Sequence, residues 1–431
     1  MSDYQETLQF LYGLQSFGIK VGLHNIQRLL DELNHPEKYY PCIHIAGTNG
    51  KGSTAALIAA VLTASGYRTG IYTSPHLVHF NERIRIDGIK ISEDVLVAYT
   101  KSLKPSIIKL RATFFEVTTA IAFKYFAQKK VDIAVIETGL GGRLDATNII
   151  QPVVSIITNI GLEHTDILGG TIEQIAFEKG GIIKSSAPCV TGATHKTVLG
   201  ILKKISKAKK IPFIQTDSNS SIKIHSSSLN GTEVSISNID DTYNRLYISL
   251  AGEHQIRNAQ LALLCLGYIK RSMGYSRVSN QTVFRGFKLI RELTGIRGRL
   301  DTIHSRRLVI TDVAHNPEGV KTLITALNKL WVGKMIVLFG VMRDKDYRSM
   351  LNLLQPVSRL TIAVRPSILR ALENDCIVSV LHKMHQRAYN GGTVVNGLKI
   401  GFNESRSREP VLVTGSHYVV GQILHFLKVS I

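Results

Sequence analysis

A chain of 431 residues with 44% hydrophobic content has the length for two or three domains and enough apolar side chains to bury real cores. Lys and Arg number 52 against 32 Asp and Glu, a formal charge of +20, yet the basic residues are scattered without a run of five or six, which speaks against a nucleic-acid partner. Four widely spaced cysteines (Cys42, Cys189, Cys265, Cys376) show neither a disulfide framework nor metal-ligand spacing, and no apolar stretch approaches membrane-span length. The N-terminus MSDYQETLQF is unlike a signal or transit peptide, so the expectation is a cytoplasmic protein with no membrane partner and with Cys42 and Cys265 as buried thiols.

Strand-like apolar runs alternate with helical patterns along the chain. CIHIAG precedes a helix predicted from Ser53 to about Ser65, YRTGIYTS follows, and a helix spans roughly 113–128. VDIAVIETG, VVSIITNIG, a helix near 171–179 and APCVTG continue the alternation, which predicts a mainly parallel sheet covered by helices. Between about 215 and 250 the segment SNSSIKIHSSSLNGTEVSISN alternates with period two and predicts a small antiparallel β segment, followed by a helix over 256–272. After TGIRGRLD the alternation resumes: strand LVITDVA, a helix near 317–330, strand KMIVLFGV, a helix near 346–354, strand RLTIAV, and PVLVTG before the last helix. The fold class is therefore α/β, with a boundary between two units near 295–300.

Residues 45–54 read IAGTNGKGST. A glycine-rich turn between a strand and a helix lets backbone N–H groups point at phosphate oxygens, and the helix N-terminus adds positive partial charge. The strict pattern G-x-x-x-x-G-K-[ST] is missed, because Lys51 comes one glycine early. Lys51 can still neutralise phosphate charge, and the Ser53 hydroxyl can join a Mg²⁺ shell. Further oxygen and nitrogen donors sit at ends of predicted strands: Glu137 closes VDIAVIE, His164 follows VVSIITNI, and Ser74 closes TGIYTS. Each has a plainer alternative as a cap, a loop histidine or a turn residue, but all three at strand C-ends favour a site.

The motifs HIAGTNGKGST, TSPHLVHFNERIRIDG, TFFEVTT, IETGLGGRLDATN, EHTDILG, FEKGGIIK and VTGSHYVVG, in this order over nearly the whole chain, resemble folylpolyglutamate synthase/dihydrofolate synthase, the folate branch of the ATP-dependent Mur ligase superfamily. The resemblance implies an N-terminal P-loop ATPase domain (1–296), a C-terminal Rossmann-like glutamate-ligase domain (297–431) and an active site between them. It also implies a reaction. A carboxylate of dihydropteroate or tetrahydrofolate takes the γ-phosphate of ATP to form an acyl phosphate, and the amine of L-glutamate displaces phosphate; the implied protein is a monomer. Position by position, Thr48, Asn49, Gly50, Lys51, Gly52 and Ser53 would cradle ATP, and Ser53, Ser74 and Glu137 would serve a first Mg²⁺. His164 would serve a second Mg²⁺ together with Lys179 carrying a carbamate, which turns an ammonium into an anionic ligand. Thr113, Phe114, Phe115, Glu116, Arg143, Leu144 and Asp145 would line the pterin pocket, and Asn258 would lie on the adenine side. Arg299, Asp312 and His315 would reach ATP or glutamate, and Ser416 the glutamate.

The chain departs from this pattern at Ile296 and Arg297 (usually Trp-Pro), Val313 (usually Gly), Glu163 (usually Asp) and Lys20 (often acidic). A left-handed backbone at 313 would be strained by valine. A cell-wall Mur ligase would need a UDP-binding domain ahead of the loop, for which about 45 residues leave no room. A P-loop nucleic-acid-binding ATPase is suggested by the net charge alone. Chain extension without dihydrofolate synthesis stays open as the narrower activity.

Overall fold

The computed structural model describes residues 2–18, 22–238, 241–305, 307–406 and 409–429; Lys20 lies outside the described residues. The first sheet contains β1 (Cys42–Ala46), β2 (Thr69–Tyr72), β3 (Ile84–Ile86), β4 (Ile89–Lys90), β5 (Ile133–Glu137), β6 (Val154–Ile157), β7 (Cys189–Thr191) and β8 (Phe213–Gln215), in the order β4-β3-β2-β5-β1-β6-β7-β8. From β2 to β8 all pairings are parallel, and β3 and β4 add an antiparallel edge. Every residue of β1 and β5 is buried, the signature of strands covered on both faces. The chain leaves β1 toward β2 on one side and β6 toward β7 on the other. The C-ends of β1 and β6 therefore border a topological switch point, where α/β sheets place ligands.

The helix Lys51–Ala64 follows β1, starting two residues earlier than its apolar run predicts. Residues Ser53 to Leu62 are all buried, because the helix is packed between the sheet and the helices His254–Ser272 and Asn280–Lys288. Gly286 sits where any Cβ would meet the Val61 backbone at 2.8 Å. The loop ahead of this helix is thus mounted on one of the most enclosed elements of the molecule.

A second, antiparallel sheet holds β9 (Ser220–Ser228), β10 (Gly231–Asn238) and β11 (Thr242–Ile248), where the period-two pattern placed it. The third sheet draws on β12 (Asp301–His304), β13 (Leu308–Thr311), β14 (Met335–Phe339), β15 (Ser358–Arg365), β16 (Ala388–Thr393) and β17 (Val411–Thr414), ordered β12-β13-β17-β14-β15-β16. Only β12 runs antiparallel in it. β12 and β16 carry no long apolar run, and sequence reading passed over them.

The third sheet docks directly on the first unit. Leu77 and Val78 pack into its core, and a Cβ on Gly421 would lie 1.9 Å from the Leu77 carbonyl oxygen. Cys42, Cys189 and Cys265 are buried free thiols and Cys376 is exposed. Among the described residues, no helix is long and apolar enough to cross a membrane.

Candidate active site

The glycine-rich loop is braced by the segment after β6. Thr48 N–H donates to Asn159 O (3.0 Å), Asn49 N–H to Asn159 Oδ1 (2.7 Å), and Thr158 Oγ1 to Asn49 O (2.7 Å). Gly47 has φ 151° and a Cβ there would lie 1.9 Å from Thr158 Oγ1. Gly50 has φ 86° and a Cβ would lie 2.5 Å from Asn258 Oδ1, so only glycine fits either position. Asn258 also approaches Thr54 Oγ1 at 3.5 Å, which puts it behind the loop. Lys51 Nζ folds onto the loop, donating to Gly47 O (2.9 Å) and Thr48 O (3.2 Å).

Glu137, the last residue of β5, is buried and accepts from Ser74 N–H at 3.1 Å. Burial raises its pKa against the pull of Lys51, the Ser74 N–H and Arg299. Gly52 lies between these groups, since a Cβ on it would be 3.6 Å from both Glu137 Oε2 and Arg299 Nη2. The Arg299 Nε and the Asn49 Nδ2 are buried without a hydrogen-bond partner among the described residues. Two orphaned donors beside a glycine-rich loop suit a polyanion. No group of three or more His, Cys, Asp and Glu converges as a metal cage among the described residues. A Mg²⁺ delivered on phosphates needs only one or two carboxylates, and Glu137 with the Ser53 and Ser74 hydroxyls offers a donor set of that chemistry.

Lys179, on the helix Ile172–Gly180, is 1% exposed despite its charge. Its Nζ donates to Glu163 Oε1 (2.6 Å) and to Gly47 O (2.9 Å), so it reaches the phosphate loop from beneath. Burial lowers its pKa from 10.5 to about 8, with Glu163 pulling the other way. Burial alone would raise the Glu163 carboxyl, but Lys179 and then Lys51 hold it down at about 2. His164 follows with φ 48° at the N-cap position of the short helix Thr165–Leu168, exposed and without a side-chain capping bond.

The second unit closes the site. Asn316 Nδ2 donates to Asn49 Oδ1 at 3.4 Å, and Glu318 Oε1 accepts from Asn159 Nδ2 at 3.1 Å. His315 Nδ1–H donates to Val313 O (2.9 Å), which leaves the Nε2 lone pair free. Burial lowers the His315 pKa to about 4, and His417 stands 5.1 Å away ring to ring. Val313 is absent from the left-handed residues, so valine carries no backbone strain there. Asp312 is spent on the Leu300 and Ala314 N–H groups (2.9 Å each), and Ser416 caps the helix His417–Phe426 by accepting from Val419 N–H at 3.2 Å.

Several residues singled out for the acceptor carry local structure. Glu116 and Thr113 form a capping box: Glu116 Oε2 accepts from Thr113 N–H (2.7 Å), and Thr113 Oγ1 accepts from Glu116 N–H (3.3 Å). Asp145 Oδ2 accepts from the Gly139 and Leu140 N–H groups at 2.9 and 2.8 Å and so fixes the turn after Glu137. Arg143 pairs with Glu178 at 2.8 Å on the surface, and Leu144 is half-buried beside it. Phe114 and Phe115 do enter an aromatic nest. Phe114 stacks on Tyr12 (5.9 Å) and meets the Phe80 edge (5.9 Å), the Arg83 guanidinium lies 5.2 Å over its ring, and Phe115 lies 5.9 Å from Tyr72. Tyr12, Phe80, Arg83, Asn159, Glu318 and His417 were not singled out from the sequence. An arginine in the motif HFNER, directly before the strand Ile84–Ile86, was the available signal for Arg83, and its burial emerges only in the fold.

A phosphate cradle at strand C-ends, facing a second α/β unit across a cleft, defines a two-unit nucleotide-dependent enzyme of the ligase type. The Mur ligase middle domain matches residues 45–266, and the Mur ligase glutamate ligase domain matches 298–417. A dihydrofolate synthase/folylpolyglutamate synthase from Bacillus subtilis is 35% identical over 99% of both chains. The structure resembles Mycobacterium tuberculosis folylpolyglutamate synthase complexed with ADP (TM-score 0.89, 30% identity, 99% of both chains). It also resembles E. coli FolC in complex with DHPP and ADP (TM-score 0.87, 26% identity, 98% of this chain and 97% of that one). The chain belongs to the dihydrofolate synthase/folylpolyglutamate synthase family of Mur ligases, whose members are ATP-dependent amide-forming ligases.

Proposed function

We propose that this enzyme joins L-glutamate to dihydropteroate and to tetrahydrofolate through an acyl phosphate, with residues 1–296 as the ATPase unit and 297–431 as the glutamate-ligase unit. The observation that carries the reading is the pair of orphaned buried donors, Arg299 Nε and Asn49 Nδ2, at a glycine-rich loop closed over by the second unit. Whole-length likeness to folate-branch enzymes supports the acceptor class.

In this reading the N–H groups of residues 48–53, Lys51 and Arg299 hold the ATP phosphates, with Asn258 behind the loop. Preorganised donors are the main catalytic resource for phosphoryl transfer, since the task is alignment and charge neutralisation. Two Mg²⁺ ions would supply charge compensation on the phosphates, one held by Ser53, Ser74 and Glu137, the other by His164 and a carbamate on Lys179. The low pKa of Lys179 supports the carbamate, because only the neutral amine attacks CO₂. The acceptor's pterin would enter the nest of Phe114 and Phe115, with Thr113, Glu116, Arg143, Leu144 and Asp145 shaping its walls. His315 Nε2, neutral at working pH, would accept a hydrogen bond from the incoming amine and orient it, with Asp312 and Ser416 fixing the backbone around the glutamate. The enzyme acts as a monomer in the cytoplasm, without nucleic acid.

Phosphate release measured with each component omitted tests this. Release that requires ATP, L-glutamate and either acceptor is expected; release independent of glutamate contradicts the reading. Turnover with tetrahydrofolate but not dihydropteroate reduces the activity to chain extension, the activity named for a Lacticaseibacillus casei relative 32% identical over 98% of both chains.

A further inference from the structure

The phosphate end uses only part of the cleft, which encloses about 600 Å³ including its open mouth. Arg85, Gly295, Ile296, Arg297 and Arg299 line another stretch of its wall. Arg85 is 5% exposed, donates from Nη1 to Gly88 O at 2.9 Å, and has no carboxylate within ion-pair distance among the described residues. The neighbouring Glu82 is spent on the N–H groups of Leu77, Val78 and His79. Arg297 Nε comes within 2.9 Å of Asp301 Oδ2 yet is not aligned for a hydrogen bond, and Arg291 Nε approaches the other oxygen of that carboxylate at 3.4 Å. Glu82 is thus committed to backbone N–H groups and Asp301 is shared by two guanidiniums, which leaves the Nε of Arg297 and of Arg299 on this wall without a hydrogen-bond partner among the described residues.

We propose that the arginine wall, with Arg297 as its main contact, binds the α-carboxylate of the acceptor's terminal glutamyl unit and so selects acceptors that already carry glutamate. The proposal rests on the ligase reading above. In a glutamyl acceptor the γ-carboxylate is the one activated at the phosphate end, beside Glu137, Gly52 and Arg299. Its α-carboxylate is tethered four carbon–carbon bonds away, roughly 5 Å when extended. That reach brings the wall next to Arg299 within range of the second anion, and Arg297 lines it two residues earlier in the chain. Dihydropteroate has no second carboxylate there, so the wall separates the two acceptor types by charge. Arginine suits the task because its planar fork matches a carboxylate in two hydrogen bonds.

The test compares tetrahydrofolate with its α-monoamide as acceptors for the wild type, Arg297→Ala and Arg297→Lys, using the full chain with ATP and glutamate in excess. The wild type is expected to prefer the acid by about tenfold or more in kcat/KM, carried by KM, as for loss of a charged hydrogen-bond partner. In Arg297→Ala that preference is expected to fall below about twofold, and Arg297→Lys should retain part of it. A preference left intact in Arg297→Ala overturns the proposal and reduces Arg297 to a structural partner of Asp301. A wild type that uses acid and amide equally also overturns it while leaving the ligase reading standing. A wild type that uses neither overturns the ligase reading and the subsite together.

Discussion

Replacing Lys179 with Met and Glu163 with Gln together should leave the protein at least as stable while abolishing turnover, whereas Lys179→Met alone strands the largely enclosed Glu163 carboxylate and should destabilise it. The ammonium is fully enclosed, and although Glu163 Oε1 and Gly47 O accept hydrogen bonds from it, burial still lowers its pKa from 10.5 to about 8. The folded state thus disfavours the charged form. At pH values below about 8 the penalty is fully present, and it is relieved as pH rises from the folded value toward the unfolded 10.5. A drop of that size corresponds to about 3 kcal/mol. Glu163, whose pKa is held down at about 2 by the same pair, gains what the ammonium loses, so the neutral double variant Lys179→Met/Glu163→Gln should lie between no change and a gain of about 3 kcal/mol near pH 7. Urea unfolding in degassed, bicarbonate-free buffer without nucleotide measures this. Wild-type stability should rise between about pH 8 and pH 10 relative to the variant, closing the gap. Loss of more than about 1 kcal/mol in the double variant at pH 7 would refute the reasoning, showing the Lys179–Glu163 pair to be an anchor rather than a burden on the fold. Bicarbonate should not restore turnover to the variant, because no amine remains to be carbamylated.

Lys51→Ala should lose ATP turnover by about a hundredfold or more. Its melting temperature should stay within about 2 °C of wild type, because the side chain bonds only to its own loop. Gly50→Ala should cost about 1–3 kcal/mol and lose nucleotide affinity, since the new Cβ meets Asn258 Oδ1 in a left-handed backbone; an unchanged urea midpoint with normal ADP binding by calorimetry contradicts that. Ser416→Ala should cost about 1 kcal/mol through the lost cap. It should also raise the KM for glutamate several-fold, and an unchanged KM would leave Ser416 as a cap alone.

The strand–turn–helix around GTNGKGST and the strand-end positions of Glu137 and Ser74 were legible because each depends on local pattern: an apolar run, a glycine turn, a carboxylate at its end. Glu116, Asp145 and Ser416 show the limit of that legibility. TFFE fits both a pocket motif and a capping box, and only the bonds at 2.7 and 3.3 Å decide that its acid and hydroxyl hold a helix start. Lys179 reads as a solvated helix lysine until tertiary packing carries its Nζ to a carbonyl 132 residues away. The contacts that close the cleft, Asn316 to Asn49 and Gly421 against Leu77, join segments hundreds of residues apart and follow from docking two sheets, which no local pattern encodes. β12 and β16 went unread for a related reason: as edge strands they bury only part of their residues and lack the continuous apolar run of β1 or β14.

The central claim is that an acceptor carboxylate is activated by phosphoryl transfer before glutamate attacks. Tetrahydrofolate labelled with ¹⁸O in its γ-carboxylate tests it most directly, with the released phosphate read by mass spectrometry. The account predicts one ¹⁸O transferred to phosphate per amide bond formed. Phosphate free of label, with amide product formed at the normal rate, would contradict it.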